Sequence, residues 1–74
     1  MNFTQIRQTM TDDAWEIVSA LTQAPSLTLH SVAYICDMNE YATRFILEQM
    51  ALTGIASEAG GNWSLTRGFR ASAR

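Results

Sequence analysis

Apolar side chains recur along this chain with a helical period in several stretches and with a strand period in one. Phe3, Ile6 and Met10 stand at i, i+3 and i+7, and the same face continues through Ala14, Ile17 and Leu21, so one long helix from near Thr4 is possible. A break at Thr11-Asp12-Asp13 is the preferred reading. These are strong N-cap types, Asp13-Ala-Trp-Glu16 has the spacing of a capping box, and the acids suit the positive end of a helix dipole. Residues 1–10 then form an arm or short helix, and a first core helix runs from about Asp12 to Gln23. Its stripe of Ala14, Trp15, Ile17, Val18 and Leu21 is wide enough to pack on two neighbours.

Ala24-Pro25-Ser26 ends that helix, because proline lacks an amide donor and disfavours a helical residue before it. Leu27-Thr28 reads as a brief extended link, with Thr28 placed to cap a second helix over about Leu29 to Asp37. Its apolar set is Val32, Ala33, Ile35 and Cys36, and the small Ala33 permits close approach of another helix. Asp37-Met38-Asn39 is a turn, and Asn39 is a good cap for a third helix that continues to Thr53 and stops at Gly54. Counting back from Gly54, the inward seam is Thr43, Leu47 and Met50, with Ile46 at its margin. Glu40, Tyr41, Arg44, Phe45 and Glu48 then face outward. A hairpin follows: a strand from Ile55 to Glu58, a turn at Ala59-Gly60-Gly61-Asn62, and a strand from Trp63 to Thr66 with Trp63 and Leu65 on one face. Residues 67–74, with Gly68, Ser72 and other small residues, read as a flexible basic tail.

The whole is one domain, mainly α with a small β-hairpin. At 74 residues it buries only about 60% of the surface that its unfolded chain exposes, which favours dimerisation. A hydrophobic fraction of 47% against 16% charged residues supports a folded core. Neither a leader peptide nor an apolar run long enough to span a membrane is visible, so a soluble, cytoplasmic protein is expected. Charge is the more telling quantity. There is no lysine, and residues 1–66 hold two arginines, Arg7 and Arg44, against seven acids. The other three arginines, Arg67, Arg70 and Arg74, stand in the last eight residues, so a basic patch can be assembled only from Arg44 and the tail.

Candidate chemistry is sparse. No Ser/His/Asp or Cys/His constellation, paired carboxylate site or phosphate-binding glycine loop is visible, and Gly60-Gly61 lacks the strand-to-helix context of such a loop. The single cysteine, Cys36, excludes an internal disulfide and reads as a buried small hydrophobe. His30 has no second ligand near it in sequence and reads as an exposed helix residue. No enzyme, metal site or cofactor is expected.

The order of three helices and a two-stranded wing resembles the winged helix-turn-helix domains of small bacterial transcription regulators, including the MarR-like, ArsR-like and fimbrial PapI-like groups. The resemblance is carried by Leu27-Thr28, Val32-Ala33, Met38-Asn39, Leu47, Met50, Gly54-Ile55 and Gly61-Asn62-Trp63-Ser64-Leu65-Thr66, in register over residues 27–66, about half of the chain. It implies a regulator that binds double-stranded DNA, expected as a homodimer, with the third helix in the major groove and the hairpin as wing. Carried over by position, Glu40, Tyr41, Thr43 and Arg44 are the base-facing candidates. Asn39 and Thr28 stand at helix N-termini near phosphates. The tail arginines, Arg67 and Arg70 among them, are either flexible phosphate contacts or solubilising charge. Arg44 is the strongest candidate, since a bidentate guanidinium to guanine is the commonest specific contact. The chain departs from the family in having one arginine between two glutamates on that helix and no basic residue at the wing tip. The alternative is a winged-helix protein-interaction module that does not touch DNA, using Tyr41, Phe45 and the Phe3, Ile6 and Met10 arm against a protein partner.

Overall fold

The computed structural model of the protein describes residues 12–72; the arm with Phe3, Ile6 and Met10, and Arg74, lie outside these residues. Among the described residues the chain runs through α1 (Asp12–Leu21), β1 (Leu27–Thr28), α2 (Leu29–Cys36), α3 (Glu40–Leu52), β2 (Ala56–Ala59), β3 (Asn62–Leu65) and α4 (Arg67–Ser72). This is a winged helix, mainly helical with a small three-stranded antiparallel sheet.

Polar side chains and turn residues set where each helix begins and ends. Helix α1 stops at Leu21, two residues before the expected end, where Thr22 turns its hydroxyl onto the Ser19 carbonyl at 2.6 Å and the Gln23 amide tightens onto Ala20. Thr28 caps α2 by accepting from the Ser31 amide at 3.2 Å, and Asn39 caps α3 by accepting from the Ala42 amide at 2.7 Å. Helices α2 and α3 end in the same way. Asp37 (φ 55°) and Gly54 (φ 79°) take the left-handed position, and the next residue reaches back: Met38 donates to Ala33 at 2.9 Å and Ile55 to Met50 at 2.8 Å. This pairing of two backward bonds satisfies carbonyls that a helix end otherwise leaves open. It also turns Met38 and Ile55 back onto the core.

The sheet has the order β1-β3-β2. Leu27 pairs with Trp63 and Thr28 with Asn62, so the stretch expected as a link is a third strand, closing the sheet against the start of α2. In the wing, Ala56 pairs with Leu65 and Glu58 with Trp63, one residue offset from the expected strand limits. Gly60 and Gly61, at φ 59° and 87°, make the two-residue turn that matches strand twist. The Glu58 carboxylate accepts from the Gly61 amide at 2.7 Å, holding that turn.

Ile17, Val18, Ala20 and Leu21 of α1, Val32 and Cys36 of α2, Leu47 and Met50 of α3, and Ala56, Trp63 and Leu65 of the sheet form one core. The seam of α3 is Thr43, Leu47 and Met50 as its phase requires, with Ile46 half-buried. Two expectations are corrected. Ile35, placed in the apolar set of α2, is 52% exposed, because Val32, Ala33 and Cys36 already define the buried side of that short helix. Residues 67–72 are not a flexible tail. Thr66 starts α4 by accepting from the Phe69 amide at 3.1 Å while donating to the Gly54 carbonyl at 2.6 Å, and Phe69 joins the core at 5% exposure. Arg70 donates from Nη2 to the Leu21 carbonyl at 3.4 Å, placing a cation at the negative end of α1.

If α4 closes the core, Phe69→Ala lowers stability by about 3 kcal/mol, the usual cost of truncating a buried aromatic. Urea unfolding of the full chain measures this; a shift within about 0.5 kcal/mol is the mark of a surface residue.

Candidate nucleic-acid interface

Because α3 buries Thr43, Leu47 and Met50, its opposite face is committed to the outside. At 100° per residue, Tyr41, Phe45, Glu48 and Leu52 fall within about 60° of one another on that face. They are exposed, Tyr41 at 84%, Phe45 at 58% and Leu52 at 80%. Three large apolar side chains, interrupted by Glu48, therefore lie along the outer side of a helix whose inner side is already core.

Thr43 does not belong to that face. It is fully buried, and its hydroxyl donates to the Asn39 carbonyl at 2.8 Å, so its assignment as a base-facing residue is corrected. The reason is phase: Thr43 lies one turn before Leu47, on the inward side of the helix.

Glu40 opens α3 and meets His30 of α2, Oε2 to Nδ1 at 2.9 Å, across the turn of the helix-turn-helix. Both side chains are largely exposed, which limits such a contact to at most about 1 kcal/mol. Its geometric effect is the larger one. It orients the i−4 carboxylate of Arg44 toward α2, and among the described residues Arg44 makes no salt bridge with either Glu40 or Glu48. Beside it, His30, Tyr34, Asp37, Met38, Asn39 and Glu40 line a groove between α2 and the start of α3.

On the other flank, Arg44 and Glu48 line a groove against the wing together with Leu29, Glu58, Gly61 and Trp63. The strand register explains the position of Glu58, since it lies opposite Trp63 on the sheet face that turns toward α3. One guanidinium thus shares its groove with two carboxylates. Asn39 and Thr28 are exposed, but their side-chain oxygens are engaged in capping. Arg70 lines a different groove, with Thr22, Ala24 and Pro25, and is held at the end of α1; Arg67 is exposed at the start of α4. The sequence-predicted residues therefore divide. Glu40, Tyr41, Arg44 and Phe45 share the exposed side of α3, Asn39 stands at its start, and Arg70 lies apart.

Sequence reasoning missed the contribution of Glu58 to this groove and the pairing of His30 with Glu40. A signal for the first existed in the hairpin spacing, because a Gly-Gly turn fixes which strand residues oppose each other. The second is a contact between helices and has no local signal.

Among the described residues no group of His, Cys, Asp and Glu is placed to hold a metal ion, and no helix is long and apolar enough to cross a membrane. Cys36 is buried, and its thiol pKa is raised above the ordinary value by burial first and then by the carboxylates of Glu16 and Asp13.

No protein-family model and no curated protein matches the sequence. Among solved structures, the crystal structure of ligand-free NadR superimposes with a TM-score of 0.80 at 20% sequence identity. The match covers 93% of this chain and 54% of the NadR chain, so this chain spans about half the length of that protein. The likeness is one of fold.

A raised thiol pKa leaves less thiolate at a given pH, so Cys36 is expected to alkylate with iodoacetamide at pH 8 far more slowly than free cysteine. Mass spectrometry over time measures the rate. Unfolding in urea should restore ordinary reactivity, and equal rates in the folded and unfolded chain would contradict the burial.

Proposed function

We propose that this chain is a small DNA-binding transcriptional regulator, inserting the start of α3 into the major groove with the β2–β3 wing against the backbone. The observation that carries the reading is the state of Arg44. It stands on the outer side of α3, in the groove beside the wing, with its i−4 carboxylate drawn away by His30. A guanidinium held there offers a bidentate donor to guanine O6 and N7. Tyr41 and Glu40 are its neighbours at the base edges, and the exposed N-termini of α2 and α3, at Thr28 and Asn39, approach phosphates. Arg67 supplies a backbone contact. Arg70 is left out of this set, because it lines a different groove from Arg44, with Thr22, Ala24 and Pro25 at the end of α1. A homodimer is part of the proposal, since one module of this size offers a limited interface and two half-sites multiply modest contacts. The place of action is the cytoplasm.

A second reading is favoured by one observation. Among the described residues three arginines stand against seven carboxylates, with Glu48 and Glu58 inside the groove where a phosphate would lie. A protein-interaction module using Tyr41 and Phe45, together with the Phe3, Ile6 and Met10 arm, accounts for that balance without DNA.

Titration of the full chain against random duplex DNA separates the two. The expected result is weak but measurable binding at about 50 mM salt that falls about tenfold per subunit by about 200 mM, for two phosphates neutralised at a slope of about −0.9 each. On a duplex enriched from a random pool for tight binding, Arg44→Ala should weaken binding by about 1–3 kcal/mol. No binding at the lower salt would sink the DNA reading and leave the protein module.

A further inference from the structure

We propose that α3 recognises the C5-methyl groups of thymine, with Tyr41 and Phe45 as the methyl-reading side chains, so that its preferred sites are A·T-rich around a guanine opposite Arg44. The inference rests on the DNA-binding reading and names which base chemistry that surface takes.

The outer face of α3 presents Glu40, Tyr41, Arg44, Phe45, Glu48, Gln49 and Leu52 to solvent. Only one of these, Arg44, is a cationic fork suited to the paired acceptors of guanine. The glutamates only accept hydrogen bonds, so they are repelled by guanine O6 and N7 and suit the amino donors of cytosine and adenine. What remains is predominantly apolar, and the thymine methyl is the apolar group that the major groove displays. Water driven from Tyr41 and Phe45 by an A·T pair is replaced by a methyl contact. Against a G·C pair, Phe45 would face a polar edge without satisfying it, and the Tyr41 ring would lose its methyl contact.

Spacing supports the assignment. Tyr41 and Phe45 are four residues apart, about 6 Å along the helix axis and about 40° around it. Successive base pairs rise about 3.4 Å, so the two rings reach methyls about two steps apart. Arg44 adjoins Phe45 and turns toward the wing, where it meets a neighbouring pair. Leu52 is about 16 Å further along the helix than Tyr41 and is not needed for the contact.

Neither ring is held by the core, so substituting them tests recognition without unfolding the domain. Duplexes are enriched on the full chain from a random DNA pool, and the best binder is remade with single thymines replaced by uracil, which removes only the C5-methyl. Two replacements about two pairs apart should each weaken binding about fourfold, the effect of one buried methyl-sized group. With Phe45→Ala, one of these two uracil effects should vanish. Equal binding of the thymine and uracil duplexes overturns the methyl reading while leaving DNA binding intact. Failure to enrich any duplex, with no binding at low salt, overturns both.

Discussion

The inward seam of α3 is the constraint from which the rest of the domain follows. Leu47 and Thr43 are fully buried and Met50 nearly so, between α1, α2 and the sheet. In a domain this small there is no second core to which α3 could turn, so its rotation about its own axis is settled by these three residues. Thr43 is the polar member of that seam. Its hydroxyl is satisfied by the Asn39 carbonyl one turn earlier, while the Asn39 side chain caps the same turn. A buried hydroxyl without that acceptor would cost the domain several times what an ordinary surface change does. The start of α3 is therefore held at both its backbone and its side chains, and the outward sector from Tyr41 to Leu52 is a consequence of the inward one.

Much of this was legible in the chain. Asn39 and Gly54 mark the ends of α3, and with both ends fixed the seam and the outer face follow from a period of 3.6 residues. The Gly60-Gly61 turn similarly announced the wing. What escaped was shorter or non-local. Strand β1 is two residues long, too short to show alternation, and exists because Trp63 and Asn62 offer it a partner. Helix α4 was hidden by Gly68 and small neighbours, although Thr66 followed three residues later by Phe69 is a cap and an anchor in miniature. Thr43 is subject to two opposing constraints. Position within the resemblance put it at the bases, helical phase put it in the core, and burial decides for phase. Ile35 erred the other way, since composition suggested core and a short helix with three smaller buried residues had no room for it.

The electrostatics set the terms on which such a domain can meet DNA. Most of the affinity of a strongly basic DNA-binding protein comes from releasing counterions, which carries no sequence information. Here Arg70, though exposed, stands at the end of α1 apart from the groove of Arg44, which leaves Arg44 and Arg67 in the proposed contact set, with Glu48 and Glu58 beside the first. Two phosphates neutralised per subunit give a small non-specific term, and the nearby carboxylates reduce it further. On the proposed reading such a domain would bind arbitrary DNA poorly, so the ratio between its site and the background would depend on short-range contacts at the bases rather than on charge. Such contacts must come from what α3 exposes, one guanidinium and a run of apolar surface. The same acids that weaken the approach can accept only from the amino groups of cytosine and adenine, so they do not by themselves separate G·C from A·T pairs. Pairing two subunits on two half-sites is the remaining way to raise affinity without adding charge, and it raises the specific term more than the non-specific one.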